Sequence, residues 1–136
     1  EGAPFFVIYA DNWSDYDFQA IHKHHQETKA EMTIALFHLE DVHLSGVAVL
    51  DQEDRILKFV EKPKTDPPPS HWVNAGIYLI EPHLLSRIPE GTCDFGREVI
   101  PRWIQDGVHV AGIKMKEKVI PIDTPGLLKK AKIRKQ

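Results

Sequence analysis

Apolar residues in this chain come in short runs cut by polar turns, and the runs alternate between two periods. Phe5-Phe6-Val7-Ile8-Tyr9-Ala10 is continuous, as in a strand buried on both faces, and it stops at Asp11. Asp15 and Asp17 then precede Phe18 to Ala30, where Phe18, Ile21, His22 and His25 fall at helical spacing. An aspartate N-cap at that point satisfies free amides of the first helical turn. Met32 to Leu39 reads as the next strand, so a right-handed β-α-β crossover is the economical topology. Gly46 to Leu50 and Arg55 to Val60 flank the polar Asp51-Gln52-Glu53-Asp54 and predict a hairpin.

The second half continues the alternation. Pro67-Pro68-Pro69 cannot donate backbone hydrogen bonds, which makes Lys64 to Ser70 an extended surface loop. Trp72 to Ile80 is a strand, Pro82 to Arg87 a short helix opened by proline, and Phe95 to Gln105 a helix with Pro101 as a kink or restart. Strands at His109 to Met115 and Val119 to Ile122 follow, and Thr124-Pro125 opens a basic C-terminal helix. In that helix Lys129, Lys130, Lys132, Arg134 and Lys135 favour the negative end of the helix dipole. The pattern predicts an α/β fold with a mainly parallel three-layer sheet and no internal domain boundary over residues 1–136.

Composition narrows the function. A net charge of -3 with both signs spread along the chain offers no basic stripe for nucleic acid. No apolar run reaches the length of a membrane span, and a single cysteine, Cys93, cannot form an internal disulfide. A cytoplasmic protein is expected. His22, His24 and His25, with His38 and His43, lack the Cys or Glu that would complete a metal-ligand spacing. They read as a solvated helix face with one partly buried histidine.

The chemistry concentrates in an ordered set. A strand ends in Phe59-Val60-Glu61-Lys62-Pro63, placing a carboxylate and an ammonium side by side, and Val73-Asn74-Ala75-Gly76-Ile77-Tyr78 follows the proline loop. With Tyr9-Ala10-Asp11 and Ser45-Gly46-Val47 upstream, this set resembles the sugar-1-phosphate nucleotidyltransferases, and the Asn-Ala-Gly-Ile-Tyr strand most resembles their mannose-1-phosphate guanylyltransferase branch. The resemblance implies the nucleotide-diphospho-sugar transferase fold. It also implies that Asp11 ligates magnesium and acts in catalysis, and that the backbone of Gly46 lies against the sugar. Glu61 would accept sugar hydroxyls, Lys62 would pair with the sugar phosphate, and Asn74 and Gly76 would line the sugar pocket. Asp94-Phe95-Gly96 and Val99-Ile100-Pro101 echo a helix start of the guanylyl- and thymidylyltransferase branches.

Three departures stand out. Ala10 replaces the glycine usual before the aspartate, and Ser45 replaces an aromatic residue. Pro121-Ile122-Asp123-Thr124-Pro125 puts Pro121 at the family's second metal position, so either Asp123 serves as a displaced ligand or that ligand is lost. The glycine-rich phosphate loop and the basic nucleotide motif of the family do not occur in these 136 residues. The stretch therefore reads as the later part of a catalytic domain, inactive alone and self-associating through uncovered apolar surface.

The family chemistry suits these residue types. A sugar 1-phosphate is already an anionic nucleophile; its attack on a nucleoside triphosphate needs alignment and charge neutralisation more than a base, and pyrophosphate leaves. Other readings stay open: glucose-1-phosphate thymidylyl- or uridylyltransferase, heptose-phosphate guanylyltransferase, a non-catalytic regulatory paralogue, and a flavodoxin-like binding domain unrelated to sugars.

Overall fold

The computed structural model describes residues 2–116 and 119–133. In chain order its elements are β1 (Phe5–Ile8), β2 (Asn12–Trp13), α1 (Phe18–Thr28), β3 (Met32–His38), β4 (Gly46–Leu50), β5 (Ile56–Glu61), β6 (Trp72–Ile80), a 3-10 turn (Pro82–Arg87), a π-type turn (Phe95–Val99) running into α2 (Ile100–Gln105), β7 (Val110–Lys114), β8 (Ile120–Pro121) and α3 (Pro125–Ile133). Arg134 and Lys135 of the expected basic helix end lie outside the described residues.

The main sheet runs β5-β4-β6-β3-β7, with β1 beside β6 as its sixth strand. Here the expectation of a mainly parallel sheet is corrected. β1-β6, β3-β6, β4-β5 and β4-β6 are antiparallel, and β3-β7 is the parallel pair. β1 and β3 do run in the same direction across the α1 crossover, but β6 is inserted between them. The misreading has a physical cause. A strand buried on both faces shows a continuous apolar run whatever its neighbours' direction, and β6 is such a strand from Ala75 to Ile80.

Side-chain alternation assigns the two faces. Met32, Ile34 and Leu36 of β3, with Tyr78 and Ile80 of β6, pack towards α2 around the buried Trp103. Ala35, Ala75, Ile77 and Leu79 face the other way, towards Ile21 of α1. Helices thus cover both faces, and the expected three layers are present. α1 begins where predicted, its Asp17 side chain accepting the Ala20 amide at 2.9 Å. Its buried histidine is His25, held between Thr33 Oγ1 at 2.7 Å and Glu81 at 3.2 Å. The predicted hairpin is also present, with Asp51 Oδ1 accepting the amides of Glu53 and Arg55 across the turn. Pro101 has no N–H to give, and the helix opens with a wide turn in which the Ile100 amide reaches back to Phe95. No helix among the described residues is long and apolar enough to cross a membrane.

Candidate functional site

The site grows out of a split in the sheet. Along one edge of β6, β4 pairs at Trp72 and Val73 while β1 pairs from Ile77 onwards. The two run in line, end to end, and between them Asn74, Ala75 and Gly76 have no ladder strand on that side. On the opposite edge, the pairing with β3 slips between Ile34 and Leu36, so β6 bulges over Ala75, Gly76 and Ile77. Backbone groups exposed by the split find other partners. Gly76 donates its N–H to Asn74 Oδ1 at 2.8 Å, and its carbonyl accepts from Tyr9 N–H at 2.8 Å. The Ala75 carbonyl takes the Asn12 side-chain amide at 3.3 Å and the Tyr16 hydroxyl at 3.4 Å.

Gly76 is required there for two reasons. Its φ is +74°, and a Cβ would meet the Asn12 amide and stand 3.0 Å from Tyr9 Cβ. Asn74 is fixed as well, donating to the buried Tyr78 hydroxyl at 2.5 Å. Burial first, then its contacts with Tyr9, push the Tyr78 phenol well above its usual range, so it stays a neutral hydroxyl.

A cavity of about 530 Å³ opens over the split, and Gly46, Glu61, Asn74, Gly76 and Asp123 all line it. Five of the residues singled out in the sequence therefore converge. Gly46 faces Glu61 across the β4-β5 pair, and a Cβ on Gly46 would come 2.6 Å from Glu61 Oε2. A Cβ on Gly96, at the start of the π-type turn, would come 2.9 Å from the same oxygen. The carboxylate stands in a slot between two glycines. Burial, followed by the negative charge of Asp94, holds its pKa above the usual carboxylate range, against the opposing pull of Lys62 and Arg97.

Lys62 and Asp11 are placed differently. Lys62 is exposed with φ +52°, and it lines a neighbouring hollow with Lys64 and Arg97. Glu61 borders both spaces. Charge is sorted accordingly: Glu61, Asp94 and Asp123 line the cavity without any Lys or Arg, while three cations line the hollow. Asp11 is exposed and does not line the cavity, although Tyr9 and its chain neighbour Asn12 do. The antiparallel pair β2-β8 brings the Asp11 carbonyl to the Ile122 amide at 2.7 Å, one residue before Asp123.

Pro121 and Asp123 both line the cavity, and only Asp123 carries a carboxylate. Asp11 and Asp123 are two hard oxygen donors on chain segments joined by the Asp11 carbonyl to Ile122 amide bond. That set fits magnesium, which takes one or two protein carboxylates and completes its shell with water and phosphate oxygens. No group of three or more His, Cys, Asp or Glu able to hold a metal occurs among the described residues.

Sequence reasoning missed Asn12 and the apolar part of the lining, and it gave Tyr9 no role in a pocket. Tyr9 and Asn12 enter because the sheet splits, and Phe37, Leu44, Val119 and Leu127 form an apolar wall. Leu44 stands out in the structure as an apolar side chain 85% exposed, in a loop whose Val42 is buried.

A nucleotidyl transferase family profile matches residues 1–119. The chain is 37% identical over 106 residues to the probable mannose-1-phosphate guanylyltransferase 1 of Oryza sativa subsp. japonica, a match covering 77% of this chain and 29% of that protein. It is 34% identical over 102 residues to the mannose-1-phosphate guanylyltransferase of Mycobacterium tuberculosis, covering 74% of this chain and 28% of that one. The chain thus spans less than a third of the length of these relatives. Among solved structures, HddC from Yersinia pseudotuberculosis superposes with a TM-score of 0.79 at 19% identity, over 100% of this chain and 57% of that one, a likeness of fold.

Proposed function

The chain belongs to the nucleotidyl transferase family, and on that footing we propose that its cavity is the sugar-1-phosphate side of a nucleotidyl-transfer site, with mannose 1-phosphate as acceptor and GTP as donor in the intact enzyme. The observation that carries this reading is the sorting of charge at Glu61, with an acidic cavity on one side and a hollow lined by Lys62, Lys64 and Arg97 on the other. A molecule with hydroxyls at one end and phosphate at the other matches that division. Hydroxyls donate to Glu61, the Gly46 side stays open to the ring for want of a Cβ, and Lys62 neutralises the phosphate.

In the reaction, a sugar-phosphate oxygen bonds to the α-phosphorus of the nucleotide as the bond to the β-phosphate breaks, and pyrophosphate leaves. Alignment of the sugar phosphate is the contribution of Glu61, Asn74 and Lys62. Asp11 and Asp123 would hold magnesium, which supplies charge neutralisation at the transferring phosphoryl group. A binding-only regulatory role is the second reading, favoured by Pro121 at the aligned metal position.

The test is titration of mannose 1-phosphate, glucose 1-phosphate and free mannose into the 136-residue chain, followed by amide NMR. Mannose 1-phosphate is expected to shift Gly46, Glu61 and Gly76, and Lys62→Ala to weaken it about tenfold or more without weakening free mannose. No shift at these amides with any sugar phosphate would overturn the reading. Turnover is a separate question: the 136-residue chain, lacking the glycine-rich phosphate loop, is expected to release no pyrophosphate from GTP with magnesium. Binding without turnover in the longer enzyme would favour the regulatory role.

A further inference from the structure

Asn12 stands where the two ends of the site meet. It follows Asp11 in the chain and lines the cavity that Asp11 itself does not line. Its backbone N–H closes a turn onto the Tyr9 carbonyl at 3.3 Å, which puts Ala10 and Asp11 at the central positions. Whatever holds this turn therefore holds Asp11.

Both ends of the turn hang from the pocket floor. Tyr9 donates its N–H to the Gly76 carbonyl at 2.8 Å, and the Asn12 side-chain amide donates to the neighbouring Ala75 carbonyl at 3.3 Å. Successive carbonyls of a regular strand point to opposite edges; the bulge in β6, with Gly76 at φ +74°, lets both serve one turn. Gly76 also makes the room, because a Cβ there would collide with the Asn12 amide nitrogen. The floor in turn is tied to Asn74, a lining residue whose Oδ1 accepts the Gly76 N–H at 2.8 Å. Beyond the turn, the Asp11 carbonyl accepts the Ile122 N–H at 2.7 Å, one residue before Asp123. A continuous network thus runs from Asn74 through Gly76 and Ala75 to Asn12, and on to the segments that carry both exposed carboxylates.

We infer that Asn12 is a positioning residue that couples occupancy of the sugar pocket to the segments carrying Asp11 and Asp123, so that a bound sugar phosphate sets the placement of these two carboxylates. This rests on the sugar-phosphate reading above and deepens it. A ligand bonded to Asn74 fixes Gly76 through Oδ1, and a fixed floor selects one setting of the turn suspended from it. The side chain suits the task. An asparagine amide is short, has an N–H to give, and carries no charge that would compete with Asp11 for a cation.

The test takes the Ile122 amide as reporter, since Ile122 lies outside the cavity lining and is bonded to Asp11. Amide NMR spectra of the full 136-residue chain, Asn12→Leu and Tyr16→Phe would be recorded without magnesium, free and saturated with mannose 1-phosphate. Saturation removes affinity from the comparison. Asn12→Leu keeps the size of the side chain and removes its N–H, while the Ala75 carbonyl retains the Tyr16 hydroxyl at 3.4 Å. Tyr16→Phe removes that second donor and leaves the Asn12 bond in place. Mannose 1-phosphate is expected to shift Ile122 along with Gly46 and Gly76 in the unmodified chain and in Tyr16→Phe. In Asn12→Leu the Ile122 shift is expected to fall about threefold or more, with Gly46 still responding.

A silent Ile122 beside a shifted Gly46 in the unmodified chain would overturn the inference alone. So would an Ile122 shift undiminished in Asn12→Leu, or an equal fall in Tyr16→Phe, which would mean a general loosening of the floor. Loss of all binding in Asn12→Leu would make Asn12 a binding group and overturn its positioning role. Failure of mannose or glucose 1-phosphate to shift Gly46, Glu61 or Gly76 in the unmodified chain would instead overturn the site reading from which the inference starts.

Discussion

The two ends of the cavity are built to different standards. At the Glu61 end, Gly46, Glu61 and Gly96 hang on the β4-β5 pair and the turn into α2, beside the buried Phe59, Val99 and Trp103. At the Asp11 end, two exposed carboxylates flank β2 and β8, a two-residue antiparallel pair outside the main sheet, Asp11 just before β2 and Asp123 just after β8. The Glu61 end is therefore preformed by packing, whereas the Asp11 end is held by a few backbone hydrogen bonds. On the proposed function, the better-packed end is the one that meets the sugar hydroxyls, whose recognition depends on hydrogen-bond direction.

Hydrogen exchange should give the largest contrast. The Ile122 amide, bonded to the Asp11 carbonyl, is expected to exchange at least about a hundredfold faster than the amides of Ile77 to Leu79 inside β6. Similar protection at both sites would show the Asp11 end to be as rigid as the core.

Next in size is the joint between the ends. Gly76→Ala combines an αL-side φ of +74° with pressure on Tyr9 and Asn12, and about 2–3 kcal/mol of stability should be lost. Urea unfolding measures it. A loss of only a few tenths would mean that the bulge relaxes and that the two ends are not stiffly joined.

Gly46→Ala separates binding from stability. The added methyl meets Glu61 Oε2 at 2.6 Å and Phe59 Cζ at 2.7 Å. Sugar-phosphate affinity is expected to fall about tenfold, with a stability loss near 1 kcal/mol, because the carboxylate can swing away from the methyl more easily than the core can move. Calorimetric titration and urea unfolding of the same sample give both figures. A large stability loss with unchanged affinity would place the strain on Phe59 and remove the slot from the binding argument.

How much of this was legible in the sequence depends on what local pattern can encode. The Asp17 cap, the Asp51 to Asp54 turn and the helical restart at Pro101 are local, and each formed as read. Strand partners are not local. Nothing in Phe5 to Ile8 or Met32 to His38 states that β6 will lie between them, because a two-sided apolar strand fits a parallel or an antiparallel neighbour equally well. The split that makes the cavity is a consequence of that pairing, which is why Asn12 went unread and Tyr9 was given no role in a pocket. Lys62 is a different case. It follows the last residue of β5 with φ +52°, so strand alternation does not set its direction, and its separation from the cavity could not be read from the Glu61-Lys62 adjacency. Asp94 was visible as a helix start, yet its second face emerged only when the turn packed against β5.

The smallest effect is the most diagnostic of the Glu61 end, because two glutamates should titrate in opposite directions. Glu61 is shifted up, by burial first and by Asp94 second. Glu31 is also partly buried, which alone would raise it, but the His109 amide and the His83 side chain outweigh this and bring it down. The two contribute to stability with opposite signs. The Glu61 contribution is fully present below the ordinary glutamate range and is lost as pH rises through its raised pKa; the Glu31 contribution is present above that range and is lost as pH falls through its lowered one. Carbon-detected NMR titration of the side-chain carboxyls should place the Glu61 midpoint above the ordinary range and that of Glu31 below it. Asp94→Asn should then lower the Glu61 midpoint and leave Glu31 where it was, since only Glu61 feels the Asp94 charge. A Glu61 midpoint indifferent to that substitution would mean the two carboxylates do not share one space, and the Glu61 end would rest on its glycine slot alone.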